Sequence, residues 1–277
     1  MESMFSEDDI YLSFIILSWN SKKFLEICLD SIIKSNDFFN KTYEIFIVDN
    51  GSSDDSPCLI KKYVSLFPDV VKPIFLSVNT GTTHSRNIAL RLAQGKYFCV
   101  LDSDVEVSSG TVKHLIDRLE GDSSIGLIAP RLTYGNGLLQ KSTDDFPTII
   151  TKIWRFFSLK FQERAAQCGE NPRESIDVDY AISAFWVFRR SLLDSVGFLD
   201  ERFFYAPEDV DYCLRVWKAG FRVVYDPAVA AIHNAQEISR SFRINRAIIE
   251  HIKGLTYYFI KHEYCINKPV FQGNYFR

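Results

Sequence analysis

From Tyr11 to Val107 the chain repeats one pattern: a short, almost wholly apolar run, then a segment whose apolar residues fall at helical spacing. The runs are Tyr11 to Ser18 (YLSFIILS), Tyr43 to Asp49 (YEIFIVD), Val71 to Ser77 (VKPIFLS) and Lys96 to Asp102 (KYFCVLD). Between the first two, Phe24, Leu25, Cys28, Leu29, Ile32 and Ile33 mark a helix. A second helix is expected to run to about Phe67, and a third over THSRNIALRLAQ, closed by Gly95. Strands that are apolar on both faces and alternate with helices predict an α/β fold with a mostly parallel sheet covered on both sides. Ligands of such sheets bind beyond the carboxyl ends of the strands, where the strand order reverses. Asn20, Asp49, the Asn79 to Gly81 stretch, Asp102 and Asp104 all fall at those ends.

After Val107 the pattern changes. A helix near Ser109 to Glu120 leads to an apolar run and a hairpin turning at Gly135-Asn136-Gly137. Residues 143–175 read as loop and helix, and VDYAISAFWVFRR as one long strand. EDVDYCLRVWKAG reads as a helix capped by Gly220, and FRVVYDPAVAAIHN as two short strands broken at Pro227. The division expected is a domain over 1–239, with a nucleotide-side half at about 11–107 and a smaller mixed half at about 108–239, followed by a basic helical tail over 240–277.

With 277 residues, 47% of them hydrophobic, the chain can bury one large core. Its net charge of −3 argues against a nucleic-acid partner. The charge is unevenly spread: seven Lys/Arg against two Glu leave residues 240–277 at +5 and the body at −8. Six cysteines without a C-x-x-C pair read as reduced thiols. The acidic start and the lack of an apolar run near the ~20 residues of a membrane span make a cytoplasmic protein the expectation.

The Lys96 to Asp102 run ends in Asp102-Ser103-Asp104, two carboxylates one residue apart. Such a pair is repulsive, so it is either a solvated turn or the holder of a cation. No G-x-x-x-x-G-K-[ST] or G-x-G-x-x-G occurs, so a bound nucleotide would not be held by either phosphate loop. Acids at strand ends suit a hard divalent cation beside a phosphate.

VDNGSSDDS, NTGTTHSRNIALRLAQGKY, LDSDVEV and FYAPEDVDYCLRVWKAGFRVVYDPAVAAIHN resemble the successive motifs of the inverting family-two glycosyltransferases with the GT-A fold. IGLIAPRLTYGNGLLQKSTDDFPT and GFLDERFFYAPEDVDYCLR are most similar to the rhamnosyltransferase-like branch, many members of which carry Asn-Pro-Asp in place of Asp102-Ser103-Asp104. The resemblance spans residues 11–234. It implies a nucleotide-diphosphate donor, dTDP-rhamnose or a UDP-hexose, and a saccharide or lipid-linked acceptor in cell-surface polysaccharide or glycan synthesis. It also implies Mg²⁺ or Mn²⁺ on Asp104, with Asp102 facing the ribose or the metal's water shell and His233 completing the site. Asp49 would meet a pyrimidine ring, Arg86 the phosphates, and Ser18, Asn20 and Gly81 the nucleotide pocket. Asp209 would be the base that takes the acceptor proton, with Glu208 beside it. Residues one or two apart do not share a helix face, so only one of Glu208, Asp209 and Asp211 should point at the acceptor. Phe185, Trp186 and Tyr205 would wall the sugar.

Ordinary structural readings stand beside these: a core histidine at His233, a surface ion pair at Arg86, a helix cap at Asp49, and first-turn acids stabilised by the helix dipole at 208–211. Rival functions are a sugar nucleotidyltransferase, which normally has a glycine-rich basic loop that LSWNSKKF lacks, and a non-catalytic saccharide-binding relative, which should have lost these acids. A phospho-receiver would be about half this length. In the tail, Ile244, Ile248, Ile252, Leu255 and Phe259 lie near one helical stripe flanked by Arg243, Arg246, Lys253 and Lys261. That stripe suits either peripheral membrane contact or packing on the domain or on a second subunit in a homodimer.

Overall fold

A computed structural model describes residues 9–35, 42–151, 172–235 and 246–271. The four expected runs form β1 (Leu12–Ser18), β2 (Tyr43–Asp49), β3 (Val71–Phe75) and β4 (Tyr97–Asp102). All four run parallel, in the spatial order β3-β2-β1-β4. The crossovers are α1 (Lys22–Lys34), α2 (Ser56–Leu66) and α3 (Thr82–Leu92). Pro73, which cannot donate to a ladder, sits on β3 at the sheet edge. The order reverses beside β1, so the crevice opens where β1 and β4 end.

The second half extends the same sheet. It comprises β5 (Val105–Val107), α4 (Thr111–Gly121), β6 (Ile125–Thr133), β7 (Thr143–Asp144), β8 (Ile176–Asp177), β9 (Tyr180–Ala181), β10 (Phe185–Arg189), α5 (Ser191–Val196), α6 (Glu208–Lys218), β11 (Arg222–His233) and α7 (Arg246–His262). The sheet continues from β4 as β10-β6-β11-β5, with β8 beside β11, while β7 and β9 form a separate pair. β10 is antiparallel to both neighbours. The hairpin turn at 135–137 is present, closed by Tyr134 N–H donating to Leu138 O at 2.8 Å.

Three boundaries differ from the sequence reading. VDYAISAFWVFRR is two strands in different sheets, since the chain turns at Ile182–Ala184. FRVVYDPAVAAIHN is one strand: Asp226 Oδ1 accepts Ala228 N–H at 3.0 Å, and the resulting irregularity lets pairing with β6 resume at Ala230. α3 ends at Leu92 rather than running to Gly95, because Gly95 lies against the β1 backbone where a Cβ would meet Ser13 N at 2.6 Å.

Alternation along the strands feeds two cores. Phe14 and Ile16 face Leu25, Cys28, Leu29, Ile60 and Leu115, while Ile15 faces the side holding Ala89, Leu90, Leu192, Leu214 and Tyr258. Among the described cysteines none is paired; Cys28, Cys99 and Cys213 are buried, and Cys168 lies outside the described residues. Among the described residues no helix is long and apolar enough to cross a membrane.

The tail helix α7 packs on the body. Tyr258 and Phe259 are buried and Lys261 is ion-paired to Asp200 and Asp211, so the C-terminal half of the expected stripe faces inward. Ile249, Ile252 and Ile260 are the exposed isoleucines of this helix, and the side chains of Arg243, Ile244, Arg246 and Ile248 lie outside the described residues.

Candidate active site

The nucleotide side of the crevice is built by the ends of β1 and β2, which lie in register with Ser18 opposite Asp49. Ser18 Oγ and Ser21 Oγ are 2.9 Å apart. Asn20 adopts φ 50°, a left-handed conformation that asparagine tolerates, and its Oδ1 accepts Ser53 N–H at 2.8 Å. These bonds lace the two loops together. Asp49 is buried, and its Oδ2 accepts Ser52 N–H at 3.1 Å, so part of its role is to cap the turn. Its Oδ1 is buried with no hydrogen-bond partner among the described residues. Leaving such an acceptor unmet costs about 1–3 kcal/mol, and a ligand N–H would meet it. Trp19, 43% exposed, stands at the lip between Ser18 and Asn20.

Gly81 has φ 88° and abuts the Phe204 carbonyl, with which a Cβ would collide. Thr82 N–H donates to the same oxygen at 2.7 Å. The glycine thus joins the nucleotide half to the loop ahead of α6. Asn50, which the sequence reading passed over, clamps this corner: its Nδ2 donates to Asn79 Oδ1 and Gly81 O, and its Oδ1 accepts Thr80 N–H at 2.8 Å.

Asp102, Asp104 and His233 each offer a ligand atom within 4.8 Å of the others. Strand pairing delivers the histidine, because β11 runs antiparallel to β5 with His233 opposite Val105 and Asn234 N–H donating to Asp104 O at 2.9 Å. His233 Nε2 lies 3.2 Å from Asp104 Oδ1, and its Nδ1 is 2.9 Å from Gln140 Oε1. Gln140, also absent from the sequence reading, can hold the proton on Nδ1 and leave Nε2 as a donor to a metal. Burial works against the imidazolium, but the hydrogen bond and charge of Asp104 outweigh it and shift His233 upward. Two carboxylate oxygens and one imidazole nitrogen form a donor set that fits a divalent ion such as Mg²⁺ or Mn²⁺.

Arg86 lies beneath this cluster, only 1% exposed, which rules out a surface ion pair. Its Nη2 donates to Asp102 Oδ1 at 2.5 Å and its Nη1 to Ser183 Oγ at 2.8 Å. Ser183 Oγ in turn donates to Glu208 Oε1 at 2.9 Å. Arg86 therefore braces the crevice floor with both terminal nitrogens. Burial raises the Asp102 carboxylate, Arg86 opposes the shift, and Asp104 adds to it.

The three acids of α6 are sorted by their neighbours. Asp211 is fully buried and turned toward Arg215, Lys261 and His262. Burial would raise its carboxyl, but the His262 hydrogen bond, Arg215 and Lys261 together lower it. Glu208 is buried against Ser183, and burial followed by the Asp209 charge pushes it up to about 8. Asp209 is the most exposed of the three, and its Oδ1 accepts Val210 N–H at 2.8 Å. Phe185 and Trp186 are core residues, not walls: Trp186 stacks on Tyr212 at 5.7 Å and Nε1 donates to Ala181 O. Tyr205, 45% exposed, remains at the rim.

The Glu208 shift has a consequence for stability. Folded, the group ionises near pH 8 rather than its usual 4.5. The folded state therefore holds the extra proton between those values, so the stability contributed by neutral Glu208 is complete below about 4.5 and is lost as pH rises through 8. Glu208→Gln stays neutral throughout. Its melting temperature relative to the parent should rise by several degrees between about pH 5 and about pH 9; a difference that does not change with pH would contradict the buried, neutral state.

A sequence model described as "Glycosyl transferase family 2" matches residues 13–197, two thirds of the chain. The chain belongs to glycosyl transferase family 2. Among curated relatives, the N-acetylglucosaminyl-diphospho-decaprenol L-rhamnosyltransferase of Mycobacterium tuberculosis is 25% identical over 211 residues, 69% of this chain and 66% of the relative. The GalNAc(5)-diNAcBac-PP-undecaprenol beta-1,3-glucosyltransferase of Campylobacter jejuni is 28% identical over 235 residues, 84% and 65% respectively. The chain spans from 16% to 66% of the length of the first curated relatives it matches. Among solved structures, the mannosyltransferase PcManGT of Pyrobaculum calidifontis in complex with GDP-Man and Mn²⁺ superposes with a TM-score of 0.62 at 19% identity, over 93% of this chain and 65% of that one. The family-two domain here has the GT-A fold.

Proposed function

We propose that this family-two domain transfers a sugar, with inversion, from a nucleotide-diphosphate donor to a saccharide or lipid-linked acceptor. The observation that carries this reading is the contact chain Asp102–Arg86–Ser183–Glu208, which brings the metal-ligand cluster and the first turn of α6 to one crevice. Asp49 Oδ1 accepts the imide N–H that uracil and thymine share, in keeping with either a UDP-hexose or dTDP-rhamnose, and Trp19 shields the base. When bound, a divalent cation held by Asp104, Asp102 and His233 neutralises charge on the leaving diphosphate. Asp209 takes the acceptor hydroxyl proton while that oxygen bonds to the anomeric carbon, and the electron pair of the breaking bond leaves on the diphosphate. Arg86 keeps Asp102 oriented, and Glu208, buried and held by Ser183, is not the base. A lipid-linked acceptor agrees with the names of the M. tuberculosis and C. jejuni relatives. It would place the protein at the inner face of a membrane, and contact there would fall to exposed Ile249, Ile252 and Ile260.

Screening a panel of nucleotide sugars for diphosphate release, with and without candidate acceptors, tests the reading. UDP or TDP should bind in the presence of Mn²⁺, and Asp49→Ala should weaken that binding by about 10- to 100-fold, the value of a hydrogen bond to a charged group. Unchanged affinity in Asp49→Ala would remove the base contact, and no release with any donor would favour a non-catalytic saccharide-binding relative.

A further inference from the structure

The tail helix α7 touches the segment carrying the acids at three places. Ahead of the acids, Asp200 Oδ2 accepts from Lys261 Nζ at 2.7 Å and from Tyr257 OH at 3.0 Å. In the middle, Gly254 lies against the Ala206 carbonyl: a Cβ there would collide with that oxygen and sit 3.1 Å from Pro207 Cδ. Beyond them, Asp211 Oδ1 is 2.6 Å from Lys261 Nζ and 2.8 Å from His262 Nε2. Lys261 alone thus bridges the two ends of the stretch that holds Tyr205, Glu208 and Asp209. The apolar face of α7 locks this bracket, with Tyr258 fully buried in the core shared with Tyr212 and Cys213. The chain after the helix is tied down as well, through Lys268 on Asp179 at 3.0 Å and Phe271 stacked on Trp217 at 5.5 Å.

In α7, Lys261 and His262 both reach an acid two residues from Asp209, and a glycine lies against the backbone immediately ahead of Pro207. We infer that α7 is a positioning element for the transfer step: Lys261, His262 and Gly254 hold the first turn of α6 where the Asp209 carboxylate meets the acceptor hydroxyl. The inference rests on the reading of Asp209 as base. None of the three residues touches a reacting atom; each acts through Asp211 or the Ala206 backbone.

The test uses the full chain carrying Lys261→Met, Lys261→Arg or Gly254→Ala. Transfer is expressed per UDP- or TDP-binding site titrated with Mn²⁺, so that unfolded molecules drop out. Lys261→Met and Gly254→Ala should lower kcat per site by about 10- to 100-fold, the scale of a displacement of about 1 Å. Nucleoside-diphosphate affinity should stay within about two-fold, because the Asp49 pocket lies on other elements, and Lys261→Arg, which keeps the charge facing Asp200 and Asp211, should lose less of the rate than Lys261→Met. Amide exchange, which needs no donor, should quicken over residues 204–211 and not along β1 and β2. Unchanged kcat per site, or exchange that quickens uniformly, would overturn the inference. Asp209→Asn run alongside separates the two failures: if it stays active, the base assignment falls, whereas if it is dead and Lys261→Met is normal, only the role of α7 falls.

Discussion

Asp209→Asn should lower kcat by about 10²- to 10⁴-fold, the loss expected when a general base is removed, while nucleoside-diphosphate affinity stays near that of the parent. The substitution keeps the shape and the acceptor oxygen that receives Val210 N–H but cannot take a proton. The neighbouring acids should behave differently, because each is committed elsewhere. Glu208→Gln keeps a neutral side chain against Ser183 and should cost far less. Asp211→Asn leaves Lys261, His262 and Arg215 without their shared carboxylate, and its first effect should be on stability, since breaking a buried ionic cluster costs about 3–5 kcal/mol. Measuring kcat, nucleotide affinity and melting temperature for all three separates these roles. A larger fall in kcat at Glu208→Gln, with Asp209→Asn near normal, would move the base to Glu208.

The second large effect concerns the cluster at the end of β4. Chelation should abolish transfer, and Asp104→Ala should lower it by at least about 10²-fold even with excess Mn²⁺, since charge neutralisation at a leaving phosphate is worth several kcal/mol. The readout that isolates the metal is its linkage to nucleotide binding: Mn²⁺ should tighten UDP or TDP for the parent and have little effect for Asp104→Ala. His233→Ala should fall between the two, because it removes one of three ligands while both carboxylates remain. Full activity of Asp104→Ala in chelator would remove the cation from the mechanism.

The parallel half was legible because its signals are local. Apolar runs of seven or eight residues, helical spacing between them and an acid at the end of two of them are written within single segments, and burial on both faces of a parallel sheet demands such apolar runs. The second half was read less well. VDYAISAFWVFRR is as apolar as a single strand, yet it serves two sheets, and hydropathy does not record a turn buried among other apolar residues. Asn50, Gln140 and Ser183 went unread for a related reason. Each is an ordinary polar residue in its own segment, and it acquires a role only when a distant element arrives: Gln140 when His233 does, and Ser183 when Arg86 and Glu208 do.

By itself, the sequence determined the α/β class and the strand ends that form the crevice, because periodicity is a property of neighbouring residues; the grouping of the acids with one histidine was an expectation from the resemblance to family-two motifs. Only the tertiary structure decided what each charged group faces. It put Arg86 under Asp102, left Asp49 Oδ1 without a partner among the described residues, and turned Asp211 away from the crevice toward Lys261 and His262. The tail helix shows the difference most directly: its amphipathic stripe suited a membrane and a protein surface equally well. What settled its packing was a buried carboxylate on α6, whose desolvation is offset by Arg215 of its own helix together with Lys261 and His262 from another part of the chain.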